Sequence, residues 1–124
     1  MLGQSSASPS PQSLSAHQQQ RHELHQREPV PRFTSHGKTF RTVIGDTLEL
    51  PCEIEDLGTF VVLWRRGSAV MTAGQLMVIR DSRFRLVNGY NLEIQSVMPQ
   101  DAGDYVCQIG STENREQSHT VEIL

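Results

Sequence analysis

Two cysteines are the residues of this sequence best suited to covalent chemistry. Cys52 and Cys107 are the only cysteines among its 124 residues, and such a pair can close a disulfide that persists in an oxidising compartment. With about 55 residues in the closed loop, the bond would stabilise a folded domain by roughly 4 kcal/mol. Trp64, the only tryptophan, follows Cys52, and Tyr105 stands two residues before Cys107. The secondary-structure elements must therefore bring these four residues together.

The order of these four residues indicates the fold. A cysteine, a tryptophan, and a tyrosine two residues before the second cysteine are what an immunoglobulin sandwich requires, for an inter-sheet disulfide, an indole packed on it and a tyrosine corner. From Phe33 onward, short apolar alternations are separated by turn signals, which is typical of a sandwich of short strands. We predict an all-β fold over residues 33–124, an immunoglobulin-like β-sandwich of V-like or I-set type with one inter-sheet disulfide.

Composition and charge set limits on the rest of the chain. Residues 1–32 are rich in Ser, Pro, Gln and His, which predicts a disordered tail before the domain, and His22 and His25 within it make an incomplete metal site. A net charge of −3 supplies no excess of cations to neutralise phosphates, which argues against a nucleic acid or an anionic membrane as partner. No apolar run reaches membrane-spanning length, and residues 1–6 lack the features of a signal peptide.

Alternation along the predicted strands separates a core face from an outer face. In the strand around Trp64, parity directs Phe60 and Val62 inward together with the indole. A hairpin over residues 69–79 is predicted beside this strand. The outward residues of these strands and of the strand that contains Cys107 form one predicted surface: Val61, Leu63, Arg65, Met71, Leu76, Val78, Val106 and Gln108. Outward aliphatic side chains need a cover, which is either a neighbouring loop or a partner.

Residue types that could support catalysis do not converge on a site. The sequence has no glycine-rich phosphate loop, no serine in a nucleophile elbow and no convergent pair of acids. His119 and Ser118 could form a hydrogen-bonded pair, but they lie at a last strand, predicted over residues 119–124, with no pocket implied. Arg83 and Asp101 are expected to form a bidentate ion pair at the base of the sandwich, which is a structural role. We predict no enzymatic activity, no cofactor and no small-molecule substrate.

Four segments carry a more specific resemblance: Leu50-Pro51-Cys52, Val62-Leu63-Trp64, Asp81-Ser82-Arg83-Phe84, and Asp101 to Gln108. With them, residues 33–124 resemble the first immunoglobulin domain of insect neural adhesion proteins of the Klingon and lachesin type, which are related to the IgLON, Dpr and DIP families. The resemblance implies cell-surface recognition in neural development, with docking through the C, C′, C″, F and G strands on an identical copy or a relative from the immunoglobulin superfamily. On that surface the aliphatic residues would form a desolvated centre, with Arg65 and Gln108 supplying polar contacts.

Two interpretations of the cellular location remain open. The resemblance implies an extracellular or cell-surface protein, held at the membrane through an anchor that these 124 residues do not contain. The alternative is an intracellular structural immunoglobulin spacer of the muscle or cytoskeletal type, whose two cysteines stay reduced. A spacer needs no apolar face, so the outward aliphatic residues favour the recognition module.

Overall fold

The computed structural model describes residues 30–110 and 115–124. Residues 1–29 of the predicted tail lie outside the described residues. The strands are β1 Arg32–Phe33, β2 Thr39–Thr42, β3 Leu48–Leu50, β4 Ile54–Glu55, β5 Val62–Arg66, β6 Ala69–Ala73, β7 Leu76–Met77, β8 Phe84–Val87, β9 Asn91–Ile94, β10 Gly103–Ile109 and β11 Arg115–Ile123. A 3-10 turn, Pro99–Asp101, precedes β10. In this part of the chain no helix is long and apolar enough to cross a membrane.

The strands form the sandwich that the alternating pattern predicted. A six-stranded sheet has the order β2-β11-β10-β5-β6-β7, a three-stranded sheet has the order β3-β9-β8, and β1 pairs with β4. Strands β2 and β11 run parallel, and the other pairs are antiparallel. The chain is therefore an all-β, immunoglobulin-like sandwich, and its larger sheet carries the strands of the predicted outer surface.

The disulfide and the indole lie at the centre of the core. Cys52 follows β3 and is bonded to Cys107 in β10, which joins the two sheets. Trp64 is fully buried, and its Nε1 donates a hydrogen bond to the carbonyl oxygen of Tyr90 at 2.7 Å, so the polar atom of the indole is satisfied. Neither cysteine is free, as the predicted inter-sheet disulfide requires.

Arg83 and Asp101 form the bidentate ion pair expected from the sequence. Nη1 of Arg83 lies 2.7 Å from Oδ2 of Asp101, and Nη2 lies 2.9 Å from Oδ1. The tyrosine corner is also present, because the hydroxyl of Tyr105 donates to the carbonyl oxygen of Asp101 at 2.6 Å. Burial raises the pKa of Tyr105 to about 12. The ion pair and the tyrosine together tie the start of β8 to the turn before β10.

Glycines mark the turns of two hairpins, β8–β9 and β6–β7. Asn88 and Gly89 join β8 to β9 with φ values of 51° and 93°, the left-handed conformation that an Asn-Gly hairpin turn requires. Gly74 and Gln75 join β6 to β7, and Gly74 also has a positive φ, 59°. The hairpin predicted over residues 69–79 is therefore confirmed.

The first strands cross from one sheet to the other. β1 pairs with β4, whereas β2 pairs with β11, and the connecting chain passes close to β11 at Gly37. A Cβ at this position would overlap the carbonyl oxygen of Ser118, so the approach requires glycine. Ser35 and Gln117 hold the crossing in place: the Ser35 hydroxyl donates to Oε1 of Gln117 at 2.6 Å, and Nε2 of Gln117 donates to the Ser35 carbonyl oxygen at 2.6 Å.

Two details of the predicted strand pattern are wrong. Phe60 is exposed and not in the core, because β5 begins at Val62 and the backbone N–H of Phe60 closes a turn onto the Leu57 carbonyl oxygen. The last strand begins at Arg115 rather than His119, because β11 pairs with β10 along the whole length of β10. The extra residues of β11 extend the larger sheet.

His119 is a core residue, and Ser118 beside it points to the opposite face of β11. The imidazole is fully buried; its Nδ1 accepts a hydrogen bond from the backbone N–H of Lys38 at 3.2 Å, and its Nε2 donates to the Pro51 carbonyl oxygen at 2.6 Å. The ring meets Phe40 edge-on with centroids 5.3 Å apart. Burial lowers the pKa of His119 below its ordinary value of 6.5, and the nearby Lys38 ammonium acts in the same direction.

We expect acid to destabilise the wild-type domain more than a His119→Gln variant. The neutral imidazole is favoured in the folded state, so its contribution to stability is complete above pH 6.5 and declines as the pH falls from there through the lowered folded-state pKa. Protonated Nδ1 would also face the Lys38 N–H donor. Thermal unfolding midpoints at about pH 7.5 and about pH 5.5 test this. If the unfolding midpoint falls equally in both proteins between these pH values, the predicted role of His119 is wrong.

Candidate protein interface

The outer face of the six-stranded sheet brings together the predicted residues of β5 and β10. Leu63 and Arg65 in β5 alternate with the buried Trp64 and therefore point away from the core. In β10, Val106 pairs with Arg65 and Gln108 pairs with Leu63. Directly paired residues of adjacent strands point to the same side of a sheet. These four side chains thus share one outer surface.

Met71 does not lie on this surface, so its predicted place at the interface is wrong. Its side chain is 3% exposed and packs in the core. The reason is a β-bulge in β6: Trp64 pairs with Thr72 and Arg65 pairs with Val70, which leaves Met71 without a paired residue. A bulge interrupts the alternation of side chains. Met71 and Thr72 are consequently both buried, and Val70 takes the outward position.

Val106 faces outward but is only 9% exposed. It stands in the middle of the sheet, opposite Arg65 on one side and Ser118 on the other. Its predicted role in an exposed apolar centre is therefore wrong, because it offers a partner almost no apolar surface. Aspartate at this position would place a charge in a nearly buried site and would disturb the fold itself.

Several outward aliphatic residues gather on one half of the sheet. Leu76 in β7 pairs with Ala73 in β6, and Ala73 pairs with Leu63 in β5, so three aliphatic side chains form a row across three strands. Leu76 is 68% exposed and Val61 is 55% exposed. We call the outward residues of this region the aliphatic half: Val61, Leu63, Val70, Ala73, Leu76 and Val78. It adjoins β10, whose outward residues include the nearly buried Val106 and the polar Gln108, and β11 with its outward Glu116 lies beyond β10.

A hydrogen-bonded charge pair borders the aliphatic half. Nε of Arg65 donates to Oε1 of Gln108 at 3.1 Å, and Nη2 donates to Oε2 of Glu116 at 2.8 Å. Nη1 donates to the carbonyl oxygen of Gly67 at 2.8 Å. We call Arg65, Gln108 and Glu116 the Arg65 network. It spans β5, β10 and β11 and carries no net charge.

The chemistry of this face is suited to contact rather than to reaction. The aliphatic half carries no functional group, and the guanidinium of the Arg65 network has no nucleophilic atom. Within residues 30–110 and 115–124, no group of three or more His, Cys, Asp and Glu side chains could hold a metal ion. The fold and this surface define an immunoglobulin-type sandwich with one aliphatic sheet face.

Comparison with protein families agrees with this class. The model of the immunoglobulin I-set domain matches residues 31–123. The chain belongs to the immunoglobulin I-set family.

Two curated proteins and one solved structure are similar to this chain. Mouse Sidekick-1 is 32% identical over 84 residues, which cover 68% of this chain and 4% of that protein. Lachesin from Schistocerca americana is 33% identical over 78 residues, which cover 53% of this chain and 22% of that protein. The chain thus spans a small part of the length of both relatives. In the crystal structure of Dpr1 IG1 bound to DIP-eta IG1, one chain has the same fold, with a TM-score of 0.71 at 24% identity over 79% of this chain and 99% of that chain.

Sequence reasoning missed three residues of this surface. Val70 and Ala73 were not assigned to it because nothing in the run Ala69 to Thr72 marks a bulge: the run contains neither glycine nor proline. Glu116 precedes the last strand as predicted over residues 119–124, so alternation along that strand did not place it on this face. Its distance in sequence from Arg65 gives no sign that the two meet.

Proposed function

We propose that this domain is a cell-surface recognition module that binds another immunoglobulin domain through the outer face of its six-stranded sheet, in neural development. The observation that carries the proposal is the aliphatic half, a set of Val, Leu and Ala side chains on three neighbouring strands, in which Leu63 is half-buried and the others are exposed. Burial of a fully exposed Val or Leu side chain contributes roughly 1.5–3 kcal/mol. The side chains of the aliphatic half are partly exposed, so each would contribute a fraction of this value, and together they form the kind of apolar centre that an interface has.

The outer side of the three-stranded sheet carries charged residues where the outer face of the six-stranded sheet carries aliphatic ones. On the outer side of the three-stranded sheet, Glu93 stands opposite Glu49 on β3 and Arg85 on β8. Arg85 and Glu93 are ion-paired at 2.6 Å. A row of charged residues is an ordinary solvated surface, so the outer side of the three-stranded sheet has at this place no counterpart of the apolar row on the six-stranded sheet.

The relatives support an immunoglobulin domain as the partner. Dpr1 IG1 is bound to DIP-eta IG1 in its crystal structure, so a domain of this fold associates with another of the same kind in that pair. Applied to this chain, these similarities favour a second immunoglobulin domain over a peptide or a small ligand.

Replacing Val61 by aspartate is expected to weaken binding about tenfold or more, because an unpaired carboxylate would have to lose its hydration inside an apolar contact. The matched control is Val43→Asp. Val43 is the same residue type and is 52% exposed, close to the 55% of Val61, but it lies just after β2, outside the aliphatic half. Sedimentation equilibrium of the purified chain tests self-association, and surface binding to immobilised first domains of lachesin and Sidekick-1 tests relatives.

The control variant should bind within about twofold of wild type, since an isolated surface change has little effect. Binding that is equally strong in both variants would show that another surface is used. The absence of any association, with the chain itself or with either relative, would contradict the proposed function for these partners.

A further inference from the structure

His119 connects the chain crossing to the core. We call residues 32–38, which run from the start of β1 through the crossing, the crossing segment. The backbone N–H of Lys38 can only donate a hydrogen bond and the carbonyl oxygen of Pro51 can only accept one, so the two contacts of the imidazole fix the neutral tautomer with its proton on Nε2. Lys38 ends the crossing segment, whereas Pro51 precedes the disulfide-bonded Cys52. The unprotonated Nδ1 therefore holds the crossing segment, and the Nε2–H holds the core side.

Protonation affects these two contacts differently. An imidazolium carries a hydrogen on both nitrogens, so Nε2 can still donate to the Pro51 carbonyl oxygen, whereas Nδ1 and the Lys38 N–H become two donors that face each other. The ring is also fully buried, and a buried charge needs hydration or a partner. Separation of the crossing segment from Nδ1 admits water to the imidazolium, while the contact with Pro51 persists.

The groups packed against the ring do not offset the charge of an imidazolium. Phe40 of β2 and Trp64 of β5, whose ring centroids lie 5.3 and 6.1 Å from that of the imidazole, do not titrate. Tyr105 of β10 pairs with His119, but its pKa of about 12 keeps it neutral. Among the described residues, the charged group that acts on the ring is the Lys38 ammonium, and it disfavours the imidazolium.

The crossing segment is held less extensively than the strands that follow it. Within the described residues, β1 forms two residue pairs with β4, the Arg32–Glu55 ion pair beside them is exposed, and Ser35 is hydrogen-bonded to Gln117. An exposed ion pair contributes little. By contrast, β2 forms four residue pairs with β11, and the disulfide joins the two sheets. Opening of residues 32–38 alone therefore requires less free energy than global unfolding.

We propose that His119 is an acid-sensitive switch for the crossing segment: its protonation releases residues 32–38 from β4 and β11 while the rest of the sandwich, including β2, stays folded. Release leaves the edge of β4 unpaired. This switch lies at the β2 edge of the six-stranded sheet, whereas the aliphatic half extends to β7 at the opposite edge. It therefore does not depend on the proposed docking face.

The pH range of the release follows from the burial of the ring. Burial, with the Lys38 ammonium acting in the same direction, lowers the pKa of His119 below its ordinary value of 6.5 in the closed state. In the released state the hydrated imidazole regains its ordinary pKa. Protons are thus bound more strongly by the released state, so the crossing segment is closed above pH 6.5 and opens more often as the pH falls below it.

Amide hydrogen exchange of the whole chain at about pH 7.5 and about pH 5.5 tests the release. The backbone N–H groups of Thr34, Lys38 and Thr120 report it, because each donates to or from the crossing segment. Relative to the intrinsic exchange rate at each pH, their protection is expected to fall about fivefold or more at the lower pH, the effect of losing about one hydrogen bond.

Low concentrations of urea distinguish release from global unfolding. Release exposes little surface, so exchange of the three reporting amides should depend weakly on urea, whereas exchange of the β9 amides in the middle of the three-stranded sheet should follow global unfolding. The same urea dependence for both groups of amides, or no loss of protection in acid, would overturn the proposal.

His119→Gln is the decisive variant. Glutamine can accept from the Lys38 N–H through Oε1 and donate to the Pro51 carbonyl oxygen through Nε2, but it does not titrate, so the reporting amides should keep their protection at the lower pH. His36→Gln is the matched control, since His36 lies in the same segment and is exposed, and it should lose protection as wild type does. Acid loss that persists in His119→Gln, or disappears in His36→Gln, would contradict the switch.

An NMR titration of the wild-type chain gives a readout that needs no variant. The backbone resonances of the crossing segment should shift with the same midpoint as the imidazole of His119. If they follow His36 instead, or if His119 titrates only when the whole domain unfolds, the switch is wrong. This titration decides the matter even if circular dichroism shows that His119→Gln does not fold.

Discussion

Removal of the disulfide by the paired replacement of Cys52→Ala and Cys107→Ala is expected to lower the free energy of unfolding by about 4 kcal/mol. The bond closes a loop with a sequence separation of 55, and this cross-link restricts the unfolded chain. Because native domains are stable by only about 5–15 kcal/mol, the loss would remove a large share of the total. Both cysteines are buried beside Trp64 in the core, so the smaller alanine side chains would also reduce packing there. Urea denaturation followed by tryptophan fluorescence measures the change.

Wild-type protein unfolded in the presence of a reductant is the control for this prediction. It should approach the stability of the double variant, since both lack the cross-link. A double variant within about 1 kcal/mol of oxidised wild type would show that loop closure contributes little here. A thiol assay on the protein from its native source should find no free thiol, and two free thiols would favour the intracellular spacer.

Asp101→Ala is expected to lower the free energy of unfolding by about 3–5 kcal/mol, the usual effect of removing one partner from a buried ion pair. The carboxylate is fully buried and accepts three hydrogen bonds, two from Arg83 and one from the backbone N–H of Met98 at 2.7 Å. Alanine would leave the Met98 N–H without this acceptor and would leave Arg83 with Asp81 as its remaining charged partner. Urea denaturation measures the loss, and Asp101→Asn, which can still accept from Met98, should cost less.

The exposed pair on the smaller sheet provides the comparison. Arg85→Ala removes the ion pair with Glu93, in which the Arg85 side chain is 60% exposed, and we expect a cost of at most about 1 kcal/mol. If Asp101→Ala lowers the free energy of unfolding no more than Arg85→Ala does, the ion pair between Arg83 and Asp101 does not stabilise the base of the sandwich as predicted.

Protonation of the Asp101 carboxylate is expected to make the stability of the domain depend on pH. Burial alone would raise the pKa of Asp101, but the hydrogen bonds from Arg83 and Met98 hold it below its ordinary value of 3.8. The stabilisation from the pair is therefore complete above pH 3.8 and is lost as the pH falls through the lowered folded-state pKa. The wild type should lose more stability in this acidic range than Asp101→Ala does.

Much of the scaffold could be predicted because its signals are local. The order of Cys52, Trp64, Tyr105 and Cys107 indicated the sandwich, and the structure confirms the disulfide, the buried indole and the tyrosine corner. The hairpin turns could also be placed, since glycine is the residue that takes a positive φ at no steric cost. These features depend on residue type and spacing, and both are visible in a single sequence.

The outer face was predicted less well because it depends on pairing between strands. Parity placed Leu63, Arg65 and Gln108 correctly, but it placed Met71 on the wrong side of the sheet. One unpaired residue in β6 reverses the alternation beyond it, and the pattern of apolar residues in that run is equally compatible with a regular strand. Val106 was placed on the correct face, but its low exposure results from its position in the middle of the sheet.

The sequence by itself thus determined the class of fold, the disulfide, and the set of strands from which a docking face could be built. The tertiary structure decided which residues form that face. It placed Val70 and Ala73 there instead of Met71, brought Glu116 to Arg65, and buried His119 in the core. The physical reason is that alternation is a property of one strand, whereas exposure and hydrogen-bond partners are set by its neighbours, which are distant in the sequence.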